Sequence, residues 1–471
     1  MEKQVEKSSF KNKKVLVFGL GLLGGGVATT NWLLKHGAKV TVTDLKTKEQ
    51  LAPSLKKIKG KVVLRLGGHT EKDIRANEVI VFNPDISVKN LYVALARKLS
   101  KRIENEATIF YERCNRPIVA ITGTRGKTTT VTWIQYLLGR TAITAGNRSE
   151  YAFLDTLDKI SRYRTIVNEL PSYQLEYFPF TDLGPHIAVI TNISRDHMNR
   201  HDNSIEEYAA TKANIFRNQS SADHLILNRD DTWTKFFLKQ KPKAKVWFFS
   251  VKAFSKNERG IFIRDGAMYF RDGGAAQKVT DVRSFARERG NHNLANFLAA
   301  ALAAHLAGAP WQGIVARMKT LPGVSFRQEI VFKSPKLTII NDTTATSAEG
   351  GVAAIERFAS PSTIFIAGGT DRGLEYASWA KSARKKIAAK NLILLSGSAT
   401  AKMTAALGTF SKIIAIYETL DECFNAALAR AQTYRKAIIL FSPAAKSFEK
   451  FKNEYDRGEQ FNKLVTRLRK K

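Results

Sequence analysis

Cysteine is nearly absent from this chain of 471 residues: only Cys114 and Cys423 occur. Two distant thiols without metal-ligand spacing exclude a disulfide framework and read as reduced side chains. Long hydrophobic runs are missing too. The longest are strand-sized or broken by charge, and no apolar segment precedes Val15, so neither a membrane span nor a secretory signal is expected and the chain should stay in the cytoplasm. Acidic residues are scarce, 42 against 75 Lys and Arg, giving a net charge of +33. Such a surplus favours anionic partners: nucleotides, nucleic acid or an anionic membrane surface. The basic residues run from "KNKK" to "TRLRKK" without a dedicated arm, which speaks for a generally basic surface rather than an obligatory nucleic-acid segment. An apolar fraction of 44% excludes extensive disorder, and the length exceeds what one core fills.

Short apolar runs alternate with helical patterns throughout, as in "KKVLVFGLGLLGGGVATTNWLLKHGAKVTVTDL" and "KLTIINDT". That alternation predicts an α/β fold with mostly parallel sheets. Three domains are expected, over 1–113, 114–323 and 324–471, the last break falling at Pro322-Gly323.

Two glycine motifs follow predicted strands. Gly19-Leu20-Gly21-Leu22-Leu23-Gly24 fits G-x-G-x-x-G, with Asp44 ending the next strand. This pattern suits a nicotinamide cofactor, another nucleotide, or a turn needed only for packing. Gly123-Thr124-Arg125-Gly126-Lys127-Thr128 is more specific. Its backbone would cradle phosphates, Lys127 would reach the terminal ones and Thr128 could hold Mg²⁺. A chain with both motifs is expected to handle two nucleotides.

Downstream, Ser204 and Glu207 have capping-box spacing, predicting a helix start. Ile205, Tyr208, Lys212 and Ile215 then share one face, so Lys212 interrupts an apolar stripe. Either its stem snorkels to solvent, or the amine is buried with a lowered pKa, reactive toward CO₂ to give a metal-binding carbamate. Glu169 and His197 each follow an apolar strand at the end where α/β sheets place ligands. With Thr128 they make a Mg²⁺ site facing ATP phosphates coherent.

Taken in order, these residues resemble the Mur ligases over nearly the whole chain, through "GTRGKTT", "NELPSYQLE", "SRDHMNRH", "TKANIF", "GNHNLANF", "LPGVSFRQE", "NDTTATS", "GGTDRG" and "SPAAKSFEKF". The closest branch adds D-glutamate to UDP-N-acetylmuramoyl-L-alanine in peptidoglycan synthesis. The resemblance implies an N-terminal Rossmann-like domain, a central P-loop ATPase-like domain and a C-terminal Rossmann-like domain. It implies a monomeric ATP-dependent ligase that forms an acyl phosphate on a UDP-linked muramoyl substrate and passes the acyl group to an amino acid. Lys127, Glu169, His197 and Lys212 would be catalytic. Thr128, Glu169, His197 and carbamylated Lys212 would hold Mg²⁺. Gly123 to Thr129 with Asn293, Asn296, Arg327 and Asp342 would bind ATP. Leu22, Leu23, Asp44, Lys46, Asn147, Thr346, Arg372 and Ser447 would bind the UDP substrate and the amino acid.

The chain departs from the family pattern at named places. Arg125 replaces an asparagine, Pro171 a small hydroxyl residue and Thr344 a lysine; Asn83 to Ile86, "NPDI", replaces a Ser-Pro-Gly turn; "AGNRSE" replaces a glycine-rich segment; and Glu454 stands where an aromatic is common. The competing readings are a Mur-type ligase with another acceptor, a non-catalytic basic nucleotide- or nucleic-acid-binding protein, and a dinucleotide-dependent oxidoreductase.

Overall fold

The computed structural model describes residues 9–22, 24–146, 152–196, 198–255 and 257–468, so the expected site residues Leu23, Asn147 and His197 lie outside the described residues. The chain divides into two compact units, Met1–Leu321 and Pro322–Lys471. Both are α/β, and three sheets carry the architecture.

The first sheet contains β1 (Lys14–Phe18), β2 (Lys39–Asp44), β3 (Val63–Leu66), β4 (Val79–Phe82) and β5 (Arg102–Glu104), ordered β3-β2-β1-β4-β5 and wholly parallel. Four of the five β1 residues are buried, as a strand covered on both faces requires. The order reverses between β1 and β4, which opens a crevice at their carboxyl ends. The glycine turn lies there and leads into the helix Gly25–Lys35. Close packing rests on Gly26, where a Cβ would lie 2.2 Å from the Leu20 carbonyl oxygen.

The second sheet is built from β6 (Ile118–Thr122), β7 (Ala142–Ala145), β8 (Thr165–Glu169), β9 (Ile187–Ile190), β10 (His224–Asn228), β11 (Lys245–Ser250), β12 (Gly260–Arg264), β13 (Ala267–Arg271) and β14 (Gln277–Asp281). Its order is β14-β13-β12-β11-β10-β9-β6-β8-β7, and only β13 and β14 join through antiparallel pairs. β6 is buried at every residue and leads into the helix Lys127–Leu138. Trp133, Ile134 and Leu137 share a core with Leu294, Phe297, Leu298 and Leu302 of the helix Asn291–Leu306. Each such burial contributes about 1.5–3 kcal/mol, which fixes the second helix beside the first.

The second unit holds β15 (Glu329–Lys333), β16 (Leu337–Asn341), β17 (Thr363–Gly368), β18 (Leu392–Leu395), β19 (Ala415–Tyr417) and β20 (Ala437–Phe441), ordered β15-β16-β20-β17-β18-β19. All pairs are parallel except the edge pair β15–β16. The helix expected after Ser204 spans Ile205–Ala213, with Ser204 Oγ accepting the Glu207 N–H at 3.1 Å. The Glu207 carboxylate, however, reaches Lys89 Nζ at 2.5 Å, because an unlike charge from the first sheet's side lies within its range. Among the described residues no helix is long and apolar enough to cross a membrane.

Candidate active site

The loop after β6 is shaped by its neighbour β9. The Thr124 N–H donates to the Asn192 carbonyl at 2.8 Å and the Arg125 N–H to Asn192 Oδ1 at 2.9 Å. Thr191 Oγ1 and Asn192 Nδ2 in turn donate to the Arg125 carbonyl. Gly123 is required by close approach, since a Cβ would lie 2.0 Å from Thr191 Oγ1. Gly126, at φ 84°, ends the loop without a side-chain cap, so the first-turn N–H groups of the helix Lys127–Leu138 face outward with the positive end of its dipole. Asn296 seals the same glycine, its Oδ1 standing 2.2 Å from where a Cβ would be, and its Nδ2 meets Asn293 Oδ1 at 3.4 Å.

Four of the expected site side chains, Lys127, Thr128, Glu169 and Lys212, gather around this loop. Lys127 Nζ lies over it, donating to the Gly123 and Thr124 carbonyls at 2.9 and 3.1 Å. Thr128 Oγ1 donates to Glu169 Oε2 at 2.8 Å, joining the helix start to the end of β8. Lys212 is 1% exposed, with Nζ 3.4 Å from Thr122 Oγ1 and 4.5 Å from the centre of the Tyr208 ring. Snorkelling is thereby excluded. Burial first, then the Lys127 cation, with Arg125 adding, push this amine well below the usual lysine range against the opposing pull of Asp196 and Glu169.

Among the described residues no group of three or more His, Cys, Asp or Glu side chains gathers as a metal cluster. A hydroxyl and one carboxylate at an anion-binding helix start nevertheless suit Mg²⁺, which takes one or two protein oxygens and completes its shell with phosphates and water. An anionic nucleotide fits the outward N–H groups and Lys127.

The first glycine turn differs in chemistry. The Gly21 N–H donates to Asp44 Oδ2 and the Lys46 N–H to Asp44 Oδ1, both at 2.9 Å. Asn83 Nδ2 donates to the Gly19 carbonyl at 3.1 Å. Glu106 stands behind the helix start, its Oε2 3.5 Å from a Cβ placed on Gly25, with a carboxyl pushed up to about 7 by burial. Leu22 is half exposed at the tip. Both Asp44 oxygens thus brace the turn by accepting backbone N–H groups, and the helix that follows carries no charged side chain in its first turn.

In the second unit, three motifs meet at the carboxyl ends of the adjacent strands β16, β20 and β17. Asp342 Oδ2 accepts from Ser442 Oγ at 2.7 Å and Oδ1 from the Gln328 N–H at 3.0 Å, next to Arg327 in the chain. Burial pushes the Asp342 carboxyl up to about 7. Thr370 and Lys446 exchange backbone hydrogen bonds. Thr346 is buried and Arg372 exposed. Ser447 Oγ is buried without a hydrogen-bond partner among the described residues, a hydroxyl available to a ligand. Thr344, the lysine replacement, donates from Oγ1 to the Phe326 carbonyl at 2.8 Å.

Residue spacing missed Asn192, Thr191 and Asn83, which shape the two glycine turns. Their partners lie 64 to 68 positions away, and the adjacency of β6 with β9 and of β1 with β4 brings them together.

A mostly parallel sheet, a phosphate loop and a buried lysine beside it define a nucleotide-dependent enzyme, and the comparisons with known proteins make the class specific. The description "Mur ligase middle domain" matches residues 121–304, and "Mur ligase MurD-like, N-terminal domain" matches residues 13–104. The UDP-N-acetylmuramoylalanine--D-glutamate ligase of Roseiflexus sp. (strain RS-1) is 35% identical over 96% of this chain and 98% of its own. The enzyme of the same name from Caldanaerobacter subterraneus subsp. tengcongensis is 34% identical over 98% of this chain and 99% of its own. The chain therefore belongs to the Mur ligase family. Among solved structures, MurF from Acinetobacter baumannii superposes with TM-score 0.59 at 15% identity, covering 99% of this chain and 92% of its own. UDP-N-acetylmuramate-alanine ligase MurC from Thermotoga maritima gives 0.58 at 18%, covering 98% and 100%, so the fold is shared.

Proposed function

We propose that this chain joins D-glutamate to UDP-N-acetylmuramoyl-L-alanine at the expense of ATP, in peptidoglycan synthesis in the cytoplasm, acting as a monomer. The observation that carries the reading is the Thr128–Glu169 contact at a loop already equipped with Lys127, beside a fully buried Lys212. The relatives named above supply the substrates. Domain limits at 1–113, 114–323 and 324–471 give each sheet its own domain.

ATP would lie on Gly123 to Thr129, Asn293 and Asn296, with Arg327 and Asp342 assigned to it by the family resemblance. Thr128 and Glu169, with His197, are the residues that would hold Mg²⁺, whose charge offsets the crowded phosphate oxygens. Lys127 offsets negative charge as the terminal phosphoryl group passes to the substrate carboxylate, giving an acyl phosphate. The neutral glutamate amine then attacks that carbonyl, an amide forms and phosphate leaves. A depressed pKa keeps Lys212 as a free amine, the form that adds CO₂ and releases a proton to become a carbamate. Leu22, Leu23, Asp44, Lys46 and Asn147 are assigned to the UDP substrate, Asp44 through its hold on the turn. Thr346, Arg372 and Ser447 are assigned to the incoming amino acid.

The test is phosphate release by purified protein with ATP, Mg²⁺ and UDP-N-acetylmuramoyl-L-alanine across a panel of amino acids including both glutamate enantiomers. Release confined to D-glutamate is expected. Preference for another amino acid would leave the ligase class and change the acceptor; no release with any would end the reading.

A further inference from the structure

The turn Asn83–Ile86, where "NPDI" departs from the family pattern, is held by a side chain far away in sequence. Arg200 turns both terminal nitrogens of its guanidinium to it: Nη1 donates to the Asp85 carbonyl at 3.1 Å, and Nη2 to the Pro84 and Ile86 carbonyls at 2.8 and 3.3 Å. The same group forks onto Glu176, Nε to Oε1 at 2.5 Å and Nη2 to Oε2 at 3.0 Å. Glu176 Oε2 accepts the Val88 N–H at 3.2 Å, and Tyr177 Oη donates to the Ile86 carbonyl at 2.8 Å. Arg200 and Glu176 are 16% and 6% exposed, so this is a shielded bidentate pair, the geometry in which an arginine fork is strong and a lysine is no substitute. Two nearby pairs, Lys89 with Asp202 and with Glu207, cross the same boundary but use a half-exposed lysine, and such pairs contribute little.

The two ends of this connection matter. On one side, Asn83 donates from its side chain to the Gly19 carbonyl, and its Cβ leaves 3.0 Å for any Cβ at Gly19, so moving the 83–86 turn moves the glycine turn. On the other, Arg200 closes the segment that begins at Asn192. Ser194 exchanges hydrogen bonds with Thr124 of the phosphate loop, its N–H donating to Thr124 Oγ1 and its carbonyl accepting from it. Asn192 and Ser194 thus touch the phosphate loop, and Arg200, a few residues on in the chain, touches the glycine turn's support.

Resting on the function proposed above, we infer that Arg200, clamped by Glu176, is a positioning residue that sets the UDP-substrate turn at a fixed place relative to the phosphate loop. Because its guanidinium holds the 83–86 turn that supports the glycine turn, and bonds no residue of the phosphate loop, its loss should act on the muramoyl substrate and on turnover, and spare the affinity for ATP.

In the full-length protein, Arg200→Ala is expected to raise KM for UDP-N-acetylmuramoyl-L-alanine by about tenfold or more, the scale of a lost charged hydrogen-bond fork, with KM for ATP within about twofold. Arg200→Lys should recover only a minor part, and added guanidinium ion should partly restore the Ala variant without stimulating the wild type. Equal changes in both KM values, or none in either, would overturn the inference. Should Arg200→Ala fail to fold, Glu176→Gln is expected to give the same split with a smaller amplitude, and its absence counts equally against it. The function reading is judged separately, on wild-type phosphate release. If that is missing, amide exchange decides the inference without substrate: Val88 should exchange about tenfold faster in Arg200→Ala while Thr124 is unchanged. Unaltered exchange at Val88 would overturn it.

Discussion

The chain makes the same local structure twice, a buried parallel strand, a glycine turn and a helix start, and equips the two copies with different charges. After β1 the Gly21 N–H is taken by Asp44 and Glu106 lies behind the helix start, which carries no charged residue in its first turn. After β6 the helix opens with Lys127, and Thr128 meets Glu169. A glycine turn therefore provides room and free N–H groups, while the charges around it set how strongly a phosphate is held. The first helix start offers N–H groups without a side-chain cation, the second the same groups with Lys127 beside them.

The largest expected effect falls on the second turn. Lys127→Ala should lower phosphate release by about 10³–10⁴-fold, the scale of removing a principal transition-state cation. Titration with UDP-N-acetylmuramoyl-L-alanine should give unchanged affinity, and a parallel loss of that affinity would collapse the distinction between the turns. Next comes Lys212→Ala, expected to cost about 10²–10³-fold in turnover, with partial recovery on adding short carboxylates that replace the carbamate. Normal turnover in this variant would remove the carbamate from the scheme.

Much of this contrast is visible in the sequence. The spacing of Gly123, Gly126, Lys127 and Thr128 identifies the loop because all its parts are consecutive. Lys212 stands out because helical periodicity exposes a charge inside an apolar stripe. Asn192 and Arg200 do not stand out, since their roles arise from strands and turns that meet only in the fold. Asp44 illustrates a different limit: its place at the end of β2 is legible in the sequence, but its hold on the Gly21 and Lys46 N–H groups appears only in the fold. The burial of Glu106 is likewise a tertiary outcome, set where its helix meets Gln174.

Glu106 offers a test of the first turn through stability. Its carboxyl is pushed from 4.5 up to about 7 by burial. Between those values the unfolded chain has released a proton that the folded chain keeps, so the folded state loses stability as pH rises through that window and levels off above it. The loss is at most about 3 kcal/mol. Glu106→Gln should therefore unfold at a higher temperature than the wild type at pH 8 and at nearly the same temperature at pH 4.5. A difference independent of pH would show that the carboxyl is not the titrating group beside the first turn.

The smallest effect concerns Arg125, the extra cation in the second turn. Its backbone shapes the loop, through the N–H to Asn192 and the carbonyl bonded by Thr191 and Asn192, and an asparagine would keep all of these bonds. Its guanidinium stands 3.5 Å from Asp196 with a third of the side chain exposed, a pair that contributes under about 1 kcal/mol. Arg125→Asn should thus raise KM for ATP only about two- to fivefold at low ionic strength, and the difference should fade as salt screens the charge. A salt-insensitive loss of about a hundredfold would instead mean that the guanidinium holds a phosphate directly. In that case the contrast between the turns would rest on two cations, Lys127 and Arg125, and the substitution of the family's asparagine would be a functional change in the loop.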